Sequence, residues 1–321
     1  MAHPLLNLRV MAMSLRAEGV FEFDLRDQSG DALPPFTAGC HIDLHVEGGL
    51  VRSYSLCNDP RESHRYVIAV GLDPASRGGS RYLHEKLRVG AMIDVEAPRN
   101  TFALNEDASH SLLVAGGIGI TPLWCMAQRL TQLGRGWEML YAARSRRNAA
   151  YLAEIQQLAA ESGNRLRLHF SDEAGGRADL RAALGSLSPD THAYCCGPAS
   201  MIETFRESAG ERLGAANIHV EFFKAAAPPD LSGGSFVINL DRSKRRLEVA
   251  ADKSILDTLL DAGIEVPHSC MEGICGSCQV KVLSGTPDHR DSVLSDREKA
   301  ANTVVMACCS RSKSHTLVLD L

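Results

Sequence analysis

No stretch of this chain is apolar over the roughly 18 consecutive positions that a membrane-crossing helix needs. The N-terminal segment lacks the charged start, long apolar stretch and small-residue cleavage site of a secretory signal. Tandem repeats and long low-complexity tracts are missing as well. So is any basic excess. There are 34 Lys and Arg against 39 Asp and Glu, a net charge of -5, whereas a nucleic-acid binder usually presents a strongly basic face. These absences predict a soluble cytoplasmic protein with no membrane and no nucleic-acid partner, a monomer by default. The remaining composition, 45% hydrophobic and 23% charged over 321 residues, is ordinary globular material with length for about two or three domains.

Cysteine is what the chain has in abundance. Ten occur, and half of them, Cys270, Cys275, Cys278, Cys308 and Cys309, fall in the C-terminal stretch. A disulfide framework belongs to small secreted domains, which this is not, so the clustering points to a metal site. The stretches upstream differ in rhythm. Residues 1–105 carry short alternating strands at 19–25, 41–46 and 66–70, punctuated by Gly and Pro, with one short helix at 80–87; this predicts an antiparallel β-barrel or sandwich. Residues 106–225 alternate strands (111–115, 137–142, 165–170, 193–196) with helices (122–133, 149–160, 199–207), which predicts a parallel α/β sheet. A linker over 226–234, stiffened by prolines and ending in Ser-Gly-Gly, precedes the final domain, 235–321. There a hairpin (235–240 and 246–250), a helix at 254–262, the cysteine loop and strands at 279–283 and 316–321 are expected. Ser254 with Asp257 reads as a capping box for that helix, and Gly263 as its left-handed stop.

Cys270, Cys275 and Cys278, with Cys308 after 29 intervening residues, have the C-x4-C-x2-C…C spacing of a [2Fe–2S] cluster. Two irons need four thiolates, and a loop of small residues must wrap them closely. Gly273, Gly276 and Ser277 allow backbone N–H groups to approach the sulfurs. Zinc is the alternative, but structural zinc sites usually pair two short Cys-Cys knuckles around one ion, and only one run occurs here. Cys308 is taken as the fourth ligand; spacing does not exclude Cys309, which reads otherwise as a small buried apolar residue. Upstream, a strand runs into Gly116, Gly117, Ile118, Gly119, Ile120, Thr121 and Pro122. Gly117 and Gly119 permit close backbone approach, and the following helix N-terminus favours an anion. Pro122 stands where a dinucleotide fingerprint has its third glycine, and proline suits a first helical turn. A second turn, Cys196, Gly197 and Pro198, ends a strand about 80 residues later, at the carboxyl edge where parallel sheets bind ligands. After the second strand of this sheet come Arg144, Ser145, Arg146 and Arg147. Arginines there can take a 2′-phosphate and favour NADPH, whereas an acidic residue would favour NADH.

These motifs carry a resemblance. Residues 235–321 resemble the plant-type ferredoxins, an α+β (β-grasp) fold in which all four cysteines hold the cluster. The glycine turn and the Cys-Gly-Pro turn together resemble the ferredoxin-NADP reductase superfamily. The resemblance implies that the glycine turn takes the pyrophosphate and that Cys196, Gly197 and Pro198 flank the nicotinamide. It also implies a flavin barrel upstream, where Arg52, Ser53, Tyr54 and Ser55 match the flavin motif: Arg52 on the phosphate, Tyr54 on the ring and ribityl chain, Ser55 near N5. Gly78, Gly79 and Ser80 would complete the phosphate site, and Glu221 and Phe223 would approach the flavin from the end of the second domain. Ser55, Cys196, Glu221 and Phe223 are thus the expected catalytic residues. The whole chain resembles the phthalate dioxygenase reductase family, ordered FMN domain, NAD domain and ferredoxin domain. That resemblance implies FMN rather than FAD and NADH rather than NADPH, and a separate terminal Rieske non-haem iron oxygenase as partner. Flavin is the link the chemistry requires, because a nicotinamide gives up electrons in pairs and an iron–sulfur cluster takes them singly. A non-catalytic iron–sulfur redox sensor is the competing reading, disfavoured by the complete flavin set. A flavohaemoglobin-like activity lacks its N-terminal globin segment.

Overall fold

The computed structural model describes residues 5–185, 187–225 and 229–321. Seven strands, β1 (Leu6–Ala17), β2 (Val20–Asp27), β3 (Cys40–Val46), β4 (Leu50–Ser55), β5 (Tyr66–Gly71), β6 (Met92–Val95) and β7 (Arg99–Asn100), make one antiparallel sheet in the order β4-β3-β6-β1-β2-β5, with β7 on β3. The bridge Leu56↔Ile68 brings the two ends of this sheet together, so it is barrel-like. Alternate residues Leu8, Phe23, Leu25, Ile42 and Leu44 are fully buried, as the period of two demands. The short helix α1 (Gly79–Glu85) follows β5. β1 was not anticipated. Its strand register slips between Val10 and Ala12, which leaves Met11 exposed and breaks the alternation that would have announced the strand.

The next sheet is parallel, in the order β10-β9-β8-β11-β12, built from β8 (His110–Gly116), β9 (Gly136–Ala143), β10 (Arg165–Phe170), β11 (His192–Cys196) and β12 (Ile218–Glu221). Helices α2 (Ile120–Gln132), α3 (Leu152–Ser162), α4 (Ser171–Ala174), α5 (Leu180–Leu184) and α6 (Ala199–Gly210) connect the strands. Both faces of β8 are buried. Leu113 and Ala115 join a core continuous with the barrel and α2, whereas Leu112 and Val114 pack with α5 and α6. The two sheets therefore form one compact unit, which ends at Phe223. Two helix starts differ from expectation. α2 begins at Ile120, after a 3-10 turn over Gly117–Gly119, so Pro122 lies inside its first turn. α3 begins at Leu152 rather than 149, because Tyr151 is left-handed (φ 58) and its hydroxyl donates to Glu22 of the barrel at 2.7 Å.

The second compact unit, Lys224–Leu321, holds β13 (Phe236–Leu240), β14 (Arg246–Val249), β15 (Gln279–Ser284), β16 (Pro287–Asp288), β17 (Val304–Met306), β18 (Arg311–Ser312) and β19 (Thr316–Leu319), with α7 (Ile255–Asp261) and α8 (Asp296–Ala301). Its mixed five-stranded sheet runs β14-β13-β19-β15-β17, with β13 and β19 parallel at its heart. α7 has the expected capping box, Ser254 with Asp257, and Gly263 follows it at φ +74. Of the linker expected over 226–234, residues 226–228 lie outside the described residues. The rest is fastened to this unit: the buried Arg311 donates to the Gly234 carbonyl at 2.9 Å and Arg290 donates to that of Asp230. Among the described residues no helix is long and apolar enough to cross a membrane.

Candidate redox site

The strand order of the parallel sheet reverses between β8 and β11, and ligands bind at such a reversal, outside the carboxyl ends of the strands. Both predicted turns lie there, packed back to back. A Cβ on Gly116 would lie 2.7 Å from the Pro198 ring and 3.1 Å from Gly197, and one on Gly119 would run into the Cys196 carbonyl. Only glycine allows the turns to approach this closely. Gly117, at φ +56, faces open space. Gly116, Gly117 and Pro198 form one wall of a cavity of about 320 Å³. Arg144 lines its other end. The Thr121 hydroxyl turns back onto the Ile118 carbonyl (3.0 Å) and the Ser145 hydroxyl onto Asn148 (2.7 Å); neither residue lines the cavity, and nor do Gly119 and Pro122. His169, Ser171 and Arg177, which do line it, were not anticipated. Their signal was their place, just inside and after the carboxyl end of β10.

Cys196 and Glu221 are parallel neighbours at the ends of β11 and β12. Ser55, from the end of β4 in the barrel, donates to Glu221 Oε2 at 3.4 Å. Three residues far apart in sequence thus meet where the barrel abuts the parallel sheet. Burial pushes the Glu221 carboxyl up to about 8, partly offset by the Ser55 hydrogen bond. Burial raises the Cys196 thiol well above its usual range, with the Glu221 charge adding to the effect. Cys195 packs on the opposite face of β11 with α5 and α6, as a core thiol. Phe223 is 40% exposed, whereas its neighbour Phe222 packs against the α5–α6 core under Arg206.

The two barrel motifs also meet. Arg52 lies along the glycine turn, so that a Cβ on Gly79 would sit 2.6 Å from its Cγ. Gly78 has φ +104, and its Cβ would lie 2.8 Å from Leu50. Arg52 donates to the carbonyls of Val51 (2.8 Å) and Arg77 (3.4 Å). Burial pushes the Tyr54 phenol up. Ser80 donates to Ser76 at 3.0 Å and accepts from the Asp73 N–H at 3.2 Å, which ties down the start of α1.

In the C-terminal unit, the thiols of Cys270, Cys275, Cys278 and Cys308 lie close enough to perturb one another's ionisation. The neighbouring Cys275 and Cys308, helped by the N–H of Glu272, which donates to Cys270 Sγ at 3.3 Å, hold the Cys270 thiol well below its usual range. Met271, Gly273 and Gly276 take positive φ, which curls the loop around its sulfurs. Cys309, which also neighbours Cys308, packs its Sγ against Gly273, 2.5 Å from where a Cβ would lie. Among the described residues no three His, Cys, Asp or Glu side chains converge on a single-ion site.

Two family models match the chain: an oxidoreductase NAD-binding domain over residues 113–207 and a 2Fe-2S iron-sulfur cluster binding domain over residues 238–313. The protein is therefore of the class that joins nicotinamide oxidoreduction to iron–sulfur electron transfer. The chain is 51% identical over 315 residues to the phenoxybenzoate dioxygenase subunit beta of Ectopseudomonas oleovorans, covering 98% of this chain and 97% of that one. It is 42% identical over 320 residues to a vanillate O-demethylase oxidoreductase of Pseudomonas sp. (strain HR199 / DSM 7063), covering 99% and 100%. A solved phthalate dioxygenase reductase, described as a modular structure for electron transfer from pyridine nucleotides to [2Fe-2S], is 38% identical with a TM-score of 0.73 over 99% of this chain and 98% of its own. The chain also matches, at TM-score 0.90 and 39% identity, part of a type IV self-sufficient cytochrome P450 monooxygenase; it covers 99% of this chain and spans 41% of that much longer one. The chain belongs to the phthalate dioxygenase reductase family.

Proposed function

We propose that this chain is the reductase component of a two-component Rieske-type oxygenase or demethylase, a cytoplasmic monomer that carries electrons from NADH to a terminal Rieske non-haem iron oxygenase. One observation carries this: a single chain holds both a nicotinamide-binding and a 2Fe–2S cluster domain, like the relatives named as components of such systems. Bound FMN would supply the exchange between the electron pair of a nicotinamide and the single electrons of a [2Fe–2S] cluster. The proposed domains are 1–105 for FMN, 106–225 for NAD, 226–234 as linker and 235–321 as a β-grasp ferredoxin.

Arg52, Ser53, Tyr54, Ser55, Gly78, Gly79 and Ser80 would hold the flavin, with Arg52 placed to fork onto its phosphate. Gly116, Gly117, Gly119, Thr121 and Pro122 build the turn for the pyrophosphate, Arg144 serves the adenosine end with Ser145 holding its loop through Asn148, and Cys196, Gly197 and Pro198 flank the nicotinamide. Glu221, neutral up to about pH 8, and Ser55 keep a proton at the Oγ–Oε2 contact and exclude water there. Cys270, Cys275, Cys278 and Cys308 would ligate the cluster. Their C-x4-C-x2-C…C spacing suits two irons better than one zinc ion. Phe223, partly exposed, would cover the flavin ring.

Anaerobic titration of the purified holoprotein with NADH tests this reading. Yellow absorbance should bleach, and the spin-resonance signal of a reduced [2Fe–2S] cluster should then grow. A redox sensor would leave the absorbance unchanged on adding NADH. Zinc, or no iron, on the tail thiolates would overturn the reading.

A further inference from the structure

Resting on that reading, we propose that Asp291 is a positioning residue for the cluster. The turn it builds holds the peptide between Gly273 and Ile274 so that the Ile274 N–H faces the Cys270 sulfur, and this hold sets the reduction potential of the cluster. Residues 291–294 lie outside the cysteine motif, yet they pack directly on the ligand loop. The Ser292 N–H donates to the Gly273 carbonyl at 3.0 Å. A Cβ on Gly273, which has φ +72, would lie 3.3 Å from Asp291 Cα and 2.5 Å from Cys309 Sγ. Only glycine lets the turn come this close.

One peptide unit links the turn to the sulfur. A trans peptide is planar, and its C=O and N–H point to opposite sides. The Gly273 carbonyl and the Ile274 N–H belong to the same unit. With the oxygen drawn to Ser292, the N–H is turned the other way, towards Cys270. It joins the Glu272 N–H, which donates to Cys270 Sγ at 3.3 Å. Behind the neighbouring Cys275 and Cys308, these two N–H groups help to hold the Cys270 thiol below its usual range. Donors on a ligand sulfur offset the negative charge that reduction adds, so they raise the potential. The turn itself is fixed from three sides. Asp291 is buried, and its Oδ2 accepts from the N–H groups of Val293 (3.1 Å) and Leu294 (2.8 Å). Its carbonyl accepts from Lys299 Nζ of α8 at 2.6 Å. Its Oδ1 faces Nδ1 of His289 at 3.9 Å, and His289 Nε2 lies 3.3 Å from Asn302 Oδ1 at the end of α8. The Ser292 side chain is exposed, so the anchor is its backbone N–H.

A redox titration of the full-length holoprotein, followed by the spin-resonance signal of the reduced cluster, tests this without turnover. In Asp291→Ala the ratio of reduced to oxidised cluster at the native midpoint should fall about tenfold, a shift of about 59 mV towards negative potential for one electron. Ser292→Pro, which lacks the N–H, should shift alike. Ser292→Ala keeps the N–H, and Asp291→Asn keeps an oxygen for Val293 and Leu294; both should stay within about twofold of native. Should the Asp291→Ala and Ser292→Pro variants hold no cluster, the native protein gives the answer. With nitrogen-labelled isoleucine, the pulsed spin-resonance spectrum of the reduced cluster should show a coupled amide nitrogen, that of Ile274, and its absence would overturn the proposal. Potentials unmoved by Asp291→Ala and Ser292→Pro, or moved as far by Asp291→Asn as by Asp291→Ala, would overturn it too and leave the path of electrons untouched. A native protein with no iron–sulfur signal would instead sink the functional reading beneath it.

Discussion

Glu221 carries the most informative single ionisation in the molecule. Its carboxyl, ordinarily near 4.5, is pushed up to about 8 by burial. The folded state therefore keeps a proton that the unfolded chain releases above the ordinary value. The stability from this group is complete below that value and is lost as pH rises through about 8. Thermal unfolding midpoints measured across this range should fall with pH, and Glu221→Gln should flatten the fall. The same substitution should slow flavin reduction by NADH on the order of 10²-fold, because an amide still accepts from Ser55 but has no ionisable proton to give up or take. An unchanged pH profile would mean that the carboxyl ionises normally. Gly119→Ala tests the close approach of the two turns. Its Cβ meets the backbone carbonyl of Cys196, which has no flexible end to move. We expect a loss of about 2 kcal/mol by denaturant unfolding together with weaker binding of 5′-AMP; a variant as stable as the native protein would show that the turns can separate.

At the level of elements, helices and strands are where local pattern and tertiary context part company. Ser254 and Asp257 announced α7 because a capping box is a short-range device, complete within four residues. Ser295 and Glu298 make the same box at the start of α8, yet that helix went unread, for it is short and none of its residues is buried. The bulge in β1 and the left-handed Tyr151 before α3 were invisible for a different reason. Each is set by a contact that forms only on folding: the register against the next strand, β2, for the bulge, and Glu22, distant in the chain, for the tyrosine. Ser254→Ala should lower the stability of the C-terminal unit by about 1 kcal/mol. Loss of the cluster's visible absorbance on heating would report it, and the flavin signal should be unmoved. A common downward shift of both signals would mean that the cap matters beyond its own unit.

On the scale of the whole molecule, the two units should fail separately. Cys275→Ser should remove the cluster and abolish cytochrome c reduction while NADH-to-ferricyanide turnover stays within about twofold, since flavin alone can feed ferricyanide. If both activities vanish with flavin still bound, the order of carriers is wrong. Arg52→Ala should cost flavin retention about tenfold, the loss of one charge-assisted phosphate contact; full flavin occupancy after purification would refute the phosphate assignment. The cysteine spacing, the glycine turns and the alternation of strands and helices are local patterns, and from the amino-acid order alone they determined a nicotinamide-binding domain followed by a [2Fe–2S] domain, and so the class of chemistry. Contacts across long separations decided the rest. Only folding could set Ser55 of the barrel against Glu221, turn Thr121 and Ser145 away from the cavity at the glycine turn, and bring Arg177 to the same cavity as Arg144. Spacing reports which groups lie within reach along the chain, whereas burial and the register of paired strands, which decide what faces what, exist only once the chain has closed on itself.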